Sequence, residues 1–117
     1  MILGVGIDMV KIDKMRSAIE KWGKPFLDKI FNGEELKKIT PGKMYYQRLA
    51  ARFAAKEAVI KAVSKQYPLD LTDIIVLNKP NGAPYIKFKK PIPVEIFLSL
   101  THLEDYAAAA AVAQKKK

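Results

Sequence analysis

Two carboxylates stand in apolar settings in this chain. Asp8 lies within Met1-Ile-Leu-Gly-Val-Gly-Ile-Asp-Met-Val10, a stretch that reads as a strand, and Glu57 lies within Leu49-Ala-Ala-Arg-Phe-Ala-Ala-Lys-Glu-Ala-Val-Ile-Lys61, which reads as a helix. Burying either acid unpaired is costly, so each needs a partner. One candidate partner is a lysine: Glu57 and Lys61 have the favourable i,i+4 orientation of an ordinary helix pair, and on that reading the acids carry no chemistry. The other candidate is a shared hard cation. With no cysteine and one histidine in the chain, a site of carboxylate oxygens favours Mg²⁺, which takes one or two carboxylates, keeps waters and completes its shell with substrate phosphate. Arg52, Lys56 and Lys61 lie within two or three turns of Glu57 and supply positive charge for that phosphate. His102 closes an alternating strand, with Ser99 and Thr101 offering hydroxyls on its other face. A lone histidine is more often structural than chemical. A serine nucleophile needs an adjacent base, which the sequence does not identify.

These residues need elements to carry them. In the first strand Leu3, Val5, Ile7 and Met9 point one way and Gly4, Gly6 and Asp8 the other, so one face is oily and the other stripped. Glycines inside a strand mark close approach by a ligand or another backbone. Ile12, Met15, Ile19 and Trp22 recur at helical spacing with lysines and an arginine between them, which predicts an amphipathic helix with a basic outer face, ended by Gly23. Pro25 to Ile30 gives a short helix, and Asn32 with Glu35 three residues on looks like the capped start of another. The longest helix runs from about Lys43 to Lys65, with Tyr46, Leu49, Phe53 and Ile60 as its apolar stripe and Lys56 and Glu57 at its two edges, partly buried.

Beyond Pro68 the period changes. Ile74 to Leu77 and Tyr85 to Phe88 flank an Asn81-Gly82 turn signal and predict a hairpin. Val94 to Leu100 alternates as a further strand. Ala107 to Ala111 has helix propensity, yet Tyr106 to Val112 is short and follows a strand and a turn, so it is read as a strand pairing with its predecessor.

The size, 117 residues, predicts one domain with a single modest core, which makes a site shared between subunits reasonable. Half of the residues are hydrophobic and 28% charged, as in folded soluble proteins. The absence of cysteine excludes disulfides, thiolate zinc sites and cysteine nucleophiles, and fits a cytoplasmic protein. The N-terminal apolar stretch, broken by two glycines and an acid, reads as neither signal peptide nor membrane span. A net charge of +9 points to an anionic partner: nucleic acid, an anionic cofactor or an acidic protein.

Gly6-Ile7-Asp8, Arg52-Phe-Ala-Ala-Lys-Glu-Ala58 through Lys61, Asn81-Gly-Ala-Pro84 and Ser99-Leu-Thr-His102 followed by Tyr106-Ala-Ala108 strongly resemble the holo-[acyl-carrier-protein] synthases, the short bacterial type of 4′-phosphopantetheinyl transferase. The resemblance spans nearly the whole chain. It implies a single α+β domain over residues 1–117, with an antiparallel sheet packed against one long helix and shorter helices. It implies transfer of 4′-phosphopantetheine from coenzyme A to a serine of apo acyl carrier protein, Mg²⁺ as cofactor with Mn²⁺ as a substitute, and a homotrimer with the coenzyme between subunits.

On the same resemblance Asp8 and Glu57 hold the metal, and Lys61 steadies the departing adenosine 3′,5′-bisphosphate. Deprotonation of the serine falls to water on the ion or to an acid, for which Glu57 is the candidate. Arg52, Lys56, Asn81, Gly82, Pro84, Thr101 and His102 line the coenzyme pocket, and Lys14, Lys21 and Lys24 form the docking surface for the acidic carrier protein. Lysine stands at these docking positions where many members have arginine, which removes bidentate pairing. Ala51 replaces a glycine common before the helix arginine, and Ser64 to Pro68 replaces a glycine-containing loop. Two other readings compete. A small nucleic-acid-binding module would account for the charge, but Phe53, Tyr46 and Trp22 fall on core stripes and leave no exposed stacking platform. A structural trimer without activity would assemble but not bind coenzyme.

Overall fold

The computed structural model describes all 117 residues. Strand β1 (Ile2–Lys11) leads directly into helix α1 (Ile12–Trp22), followed by α2 (Lys24–Ile30), α3 (Gly33–Lys38) and the long α4 (Tyr45–Val63). A 3₁₀ turn (Leu71–Asp73) precedes β2 (Ile74–Asn78), β3 (Pro84–Phe88), β4 (Val94–His102) and β5 (Tyr106–Lys115). All pairings are antiparallel: β1, β5 and β4 form one sheet in that order, and β2 and β3 form a separate hairpin. The fold is α+β, as expected. The alanine-rich C-terminal segment is a strand despite its helix propensity, because it sits centrally and satisfies the backbone of both β1 and β4.

The stripped face of β1 proves to be the core face. A Cβ at Gly4 would collide with the Ala62 carbonyl, and one at Gly6 with the Ala58 carbonyl. Two residues along a strand advance about 6.6 Å and four along a helix about 6 Å, so the glycines match successive turns of α4. Alanines 107, 109, 111 and 113 of β5 complete this surface, each at most 3% exposed. The oily face of β1 therefore points outward, leaving Val5, Ile7 and Met9 some two-thirds exposed.

The buried face of α4 is broader than the predicted stripe and built mainly of alanine: residues 50, 51, 54, 55, 58 and 62, with Leu49, Val59 and Val63. Phe53, Tyr46 and Ile60 are only half-buried. Trp22, expected on the core stripe of α1, is mostly exposed, with the Lys21 ammonium over its ring.

Lys56 departs furthest from expectation. It is wholly buried and ion-paired with the equally buried Glu35. Its ammonium also donates to the carbonyls of Ile30 (2.8 Å), Ile74 (2.7 Å) and Leu71 (3.1 Å), and lies over the Phe31 ring. Glu35 in turn accepts from the backbone N–H of Asn32 (3.0 Å) and Val76 (2.9 Å). Burial pulls the Lys56 pKa down and the Glu35 carboxylate opposes that pull. The pair joins α2, α3, α4, the 3₁₀ turn and β2 at one point. Removing one partner of such a pair leaves an uncompensated buried charge. Lys56→Met is expected to lose about 3–5 kcal/mol in urea unfolding, whereas Lys61→Met, which breaks a half-exposed pair, loses less than about 1 kcal/mol.

Candidate active site

The approach of β1 to α4 sets the first site. Because Gly6 has no side chain, the strand lies against the helix at Ala58, and Asp8, two residues further on the same face, comes level with Glu57 and Lys61. Lys61 donates to Asp8 Oδ1 and to the Ile7 carbonyl, both at 3.0 Å. Asp8 and Glu57 share a cavity of about 520 Å³, lined also by Met9, Val10, Lys11, Lys14, Met15, Phe26, Phe53 and Tyr106.

Lys61 occupies only one oxygen of Asp8, and no ion pair reaches Glu57. Burial, and then the charge of Asp8, raise the Glu57 pKa above its ordinary value of 4.5, with Lys61 opposing. Lys61 is the one cation paired with either acid, while Lys11 and Lys14 line the pocket without an ion pair, which leaves both Glu57 oxygens and one of Asp8 without a cation. That donor set suits a hard divalent cation with two protein carboxylates and the remaining shell supplied by water and phosphate. No third acid or histidine joins them.

A second cavity, of about 490 Å³, lies on the other flank of α4. Arg52 and Glu57, five residues apart, are about 140° apart around the helix axis at about 100° per residue. Arg52, Gly82, Pro84 and His102, four of the seven residues that the resemblance assigns to a coenzyme pocket, line this cavity together, and Ala51 forms part of its wall. Arg52 donates through Nη2 to Asn78 Oδ1 (2.7 Å), and Asn78 donates through Nδ2 to the Gly82 carbonyl (2.9 Å), tying the arginine to the hairpin. Gly82 adopts φ 91°, a turn conformation that glycine tolerates. Burial pulls the Arg52 pKa down, Glu35 opposes, and the neighbouring Arg48 adds to the lowering.

The remaining expected residues fall elsewhere. Lys56 does not line a pocket: its ammonium is spent on Glu35 and three carbonyls inside the core. Asn81 Oδ1 accepts from Ala83 N–H within the turn (2.9 Å). Thr101 alternates away from the cavity, onto the open sheet face, while Leu100 and His102 face it. Lys14, Lys21 and Lys24 are exposed along α1 and the start of α2; Lys14 also lines the acid pocket, and Lys24 pairs with Asp28 at 3.2 Å. Asn78, Lys38 and Arg48 line the basic cavity without having been singled out from the sequence. Arg48 had a signal: it stands one turn before Arg52 on the same helix flank, a like-charged spacing that is unfavourable in itself.

The family model of the 4′-phosphopantetheinyl transferase superfamily matches residues 4–111. The chain is 42% identical over 115 residues to a holo-[acyl-carrier-protein] synthase of Thermodesulfovibrio yellowstonii, covering 96% of this chain and 98% of that protein. Among solved structures, it resembles a Bacillus anthracis holo-(acyl-carrier-protein) synthase in complex with CoA (3′,5′-ADP), with TM-score 0.85, 29% identity, and coverage of 100% and 99% of the two chains. It also resembles the Mycobacterium tuberculosis acyl carrier protein synthase, with TM-score 0.79, 35% identity, and coverage of 98% and 99%. The chain belongs to the 4′-phosphopantetheinyl transferase superfamily and is an enzyme of that class. Its relatives within the superfamily are holo-[acyl-carrier-protein] synthases.

The raised Glu57 pKa has a definite sign in stability. The folded chain binds this proton more tightly than the unfolded one, so the associated stability is fully present below about pH 4.5 and is lost as pH rises through the folded value. Glu57→Gln, which keeps the shape without the charge, should therefore melt with the wild type at pH 4 and above it at pH 7 in metal-free buffer. Thermal melts across that range would show the gap opening.

Proposed function

We propose that this protein transfers 4′-phosphopantetheine from coenzyme A to a serine hydroxyl of an apo acyl carrier protein in the cytoplasm, releasing adenosine 3′,5′-bisphosphate. The observation that carries this reading is the convergence of Asp8, Glu57 and Lys61 at one cavity, in a chain whose relatives bear the name of that activity. Asp8 and Glu57 would hold Mg²⁺, which when bound neutralises charge on the donor's diphosphate. The serine oxygen bonds to the phosphorus nearer the pantetheine, and the bond from that phosphorus to the bridging oxygen breaks. The leaving adenosine 3′,5′-bisphosphate departs with its electron pair, steadied by Lys61. Glu57 positions or accepts the serine proton, through a carboxylate oxygen that the ion leaves free. The apolar walls from Phe26, Phe53 and Met15 limit water around the reacting groups.

The carrier protein, as an acidic partner, docks on Lys14, Lys21 and Lys24; complementary charge speeds and orients encounter. The basic cavity serves the nucleotide end of coenzyme A. Because it lies across α4 from the acid pair, the two ends of one coenzyme are bound by neighbouring copies in a homotrimer. The uncovered sheet face, with Val5, Ile7 and Met9 on β1 and Phe97 on β4 all at least half exposed, is the surface buried between copies. It also brings Thr101 to the interface.

Incubation with coenzyme A, Mg²⁺ and apo carrier protein should add a phosphopantetheinyl group, read by intact-protein mass spectrometry; no mass gain with any divalent ion would end this reading. Asp8→Ala and Glu57→Ala should each lower kcat by on the order of 10²–10³-fold while keeping the fold, and should abolish the Mg²⁺-induced rise in melting temperature. Ile7→Lys should shift sedimentation from trimer to monomer and remove activity; a fully active monomer would show that the site is complete within one copy.

A further inference from the structure

The dipeptide Asn-Gly occurs twice in the chain, at Asn32-Gly33 and at Asn81-Gly82. Asparagine before glycine is the pairing in which the next backbone nitrogen most easily reaches the side-chain amide carbon, because glycine puts no side chain in the way. The fold gives the two copies opposite surroundings. Asn32 is half-buried at the start of α3: its Nδ2 donates to the Thr72 carbonyl at 2.6 Å and its backbone N–H to Glu35 Oε1 at 3.0 Å, so it is anchored twice beside the buried Lys56–Glu35 pair. Asn81 sits at the exposed tip of the β2–β3 hairpin, in a turn closed by the Gly82 N–H on the Lys79 carbonyl at 2.8 Å. Its Oδ1 accepts from the Ala83 N–H at 2.9 Å, which folds the side chain forward along the Gly82 peptide and draws electron density from the amide carbon. The space around Gly82 is open: a Cβ there would meet nothing within 4 Å.

We infer that Asn81 is a site of spontaneous deamidation, that Asn32 is spared by its surroundings, and that the change at Asn81 loosens the basic cavity's hold on an anionic ligand; this last step rests on the coenzyme A reading above. The Gly82 N–H first leaves the Lys79 carbonyl, an opening that costs little at an exposed hairpin tip. The Gly82 nitrogen gives its proton to solvent and bonds to Asn81 Cγ. The bond from Cγ to Nδ2 breaks, and ammonia leaves with that electron pair and a proton from solvent. Water then opens the resulting cyclic imide at either carbonyl, giving aspartate or isoaspartate at position 81. Both products place a carboxylate beside a cavity lined by Lys38, Arg48, Arg52 and His102. Isoaspartate also routes the backbone through the side chain, adding a methylene before Gly82. The Gly82 carbonyl accepts from Asn78 Nδ2 and Asn78 Oδ1 accepts from Arg52 Nη2, so the displacement is passed on to the arginine. At Asn32 the same rearrangement would have to break the Thr72 bond and the start of α3, and would set a carboxylate against a carbonyl oxygen.

The test ages the whole chain in warm, mildly alkaline buffer and follows the peptides holding Asn32 and Asn81 by mass spectrometry, reading the mass gain of amide-to-acid exchange and the fragment ions of isoaspartate. In the folded chain Asn81 should convert at least about tenfold faster than Asn32, because closed, hydrogen-bonded structure suppresses such reactions; in denaturant the two rates should converge. Equal rates in the folded chain, or an Asn81 that converts only in denaturant, would overturn the inference, and a gap that persists in denaturant would overturn the role assigned to the fold. Calorimetric titration with adenosine 3′,5′-bisphosphate before and after ageing reads the consequence. Affinity should fall by about threefold to tenfold in the converted wild type, the scale of a charge introduced at a partly solvated site. Asn81→Gln, whose longer side chain closes the ring much more slowly, should keep through ageing the affinity it has when fresh. Conversion with unchanged affinity, or an equal fall in Asn81→Gln, would overturn the link to the cavity. A fresh wild type that does not bind the bisphosphate would count against the coenzyme A reading instead, and the peptide mapping, which needs no ligand, would still decide the modification.

Discussion

The buried ion pair between Lys56 and Glu35 is the interaction on which the helical half of the molecule depends. A charge in a protein interior survives only when its partners are complete, and here both members are fully engaged: the ammonium by one carboxylate and three carbonyls, the carboxylate by that ammonium and two backbone N–H groups. Those partners belong to five different segments. Four short or irregular pieces, α2, α3, the 3₁₀ turn and the start of β2, are thus fixed against α4 by one polar centre, where apolar contact alone would tolerate sliding. The basic cavity has its walls on α3, α4 and the hairpin, so its shape follows from a pair that touches none of its contents.

The other half of the molecule is positioned by the absence of side chains. Gly4 and Gly6 of β1 meet the carbonyls of Ala62 and Ala58, and the alanines of β5 and α4 continue that close contact. Large side chains would hold strand and helix at ordinary packing distance; backbone contact brings them nearer and allows Lys61 to reach both the Ile7 carbonyl and Asp8 across the gap. The acid pair is therefore assembled by packing of the smallest residues, with Glu57 left half-buried at the rim. Burial at that rim, and then its proximity to Asp8, raise the Glu57 pKa, and the packing sustains both.

Periodicity in the sequence identified the strands and the long helix that carry Asp8, Arg52, Glu57, Lys61 and His102, whereas the final strand was legible only from the pairing its predecessor needs, against a propensity that pointed to helix. The acid pair with Lys61 was legible because carboxylates in apolar runs are conspicuous. The faces of β1 were harder to assign. Val5, Ile7 and Met9 look like a core face, and only the knowledge that Gly4 and Gly6 lie against a backbone, and not a ligand, reverses the assignment. Lys56 was misplaced for a related reason: one helical turn of sequence shows its neighbours Arg52 and Glu57 but not Glu35, which is 21 residues away in the chain. Lys38 and Asn78 offered no local signal at all, since their role arises where three elements meet.

Helix α4 also explains why acid and base coexist in this protein without cancelling. Were Arg52 and Arg48 on the same flank as Asp8 and Glu57, the shortest path to stability would be ion pairing among them, and neither set would remain available for a ligand. The helix interposes its buried alanine face, and the only cation that reaches an acid of the pocket is Lys61, which engages Asp8 through a single oxygen. The basic flank keeps an excess of positive charge, and the acid flank keeps carboxylate oxygens that no cation occupies, although Lys11 and Lys14 line the same cavity. A donor carrying both a metal-binding diphosphate and a separate phosphomonoester matches the two flanks in kind, but within one copy the helix stands between them. On the proposed trimeric reading, the open apolar face of the β1–β5–β4 sheet, with Ile7 and Met9 on either side of the acid in β1 and Thr101 on β4, is where a second copy brings its opposite flank alongside. On the transferase reading, the separation that prevents self-neutralisation is thus the same feature that makes assembly part of the active site.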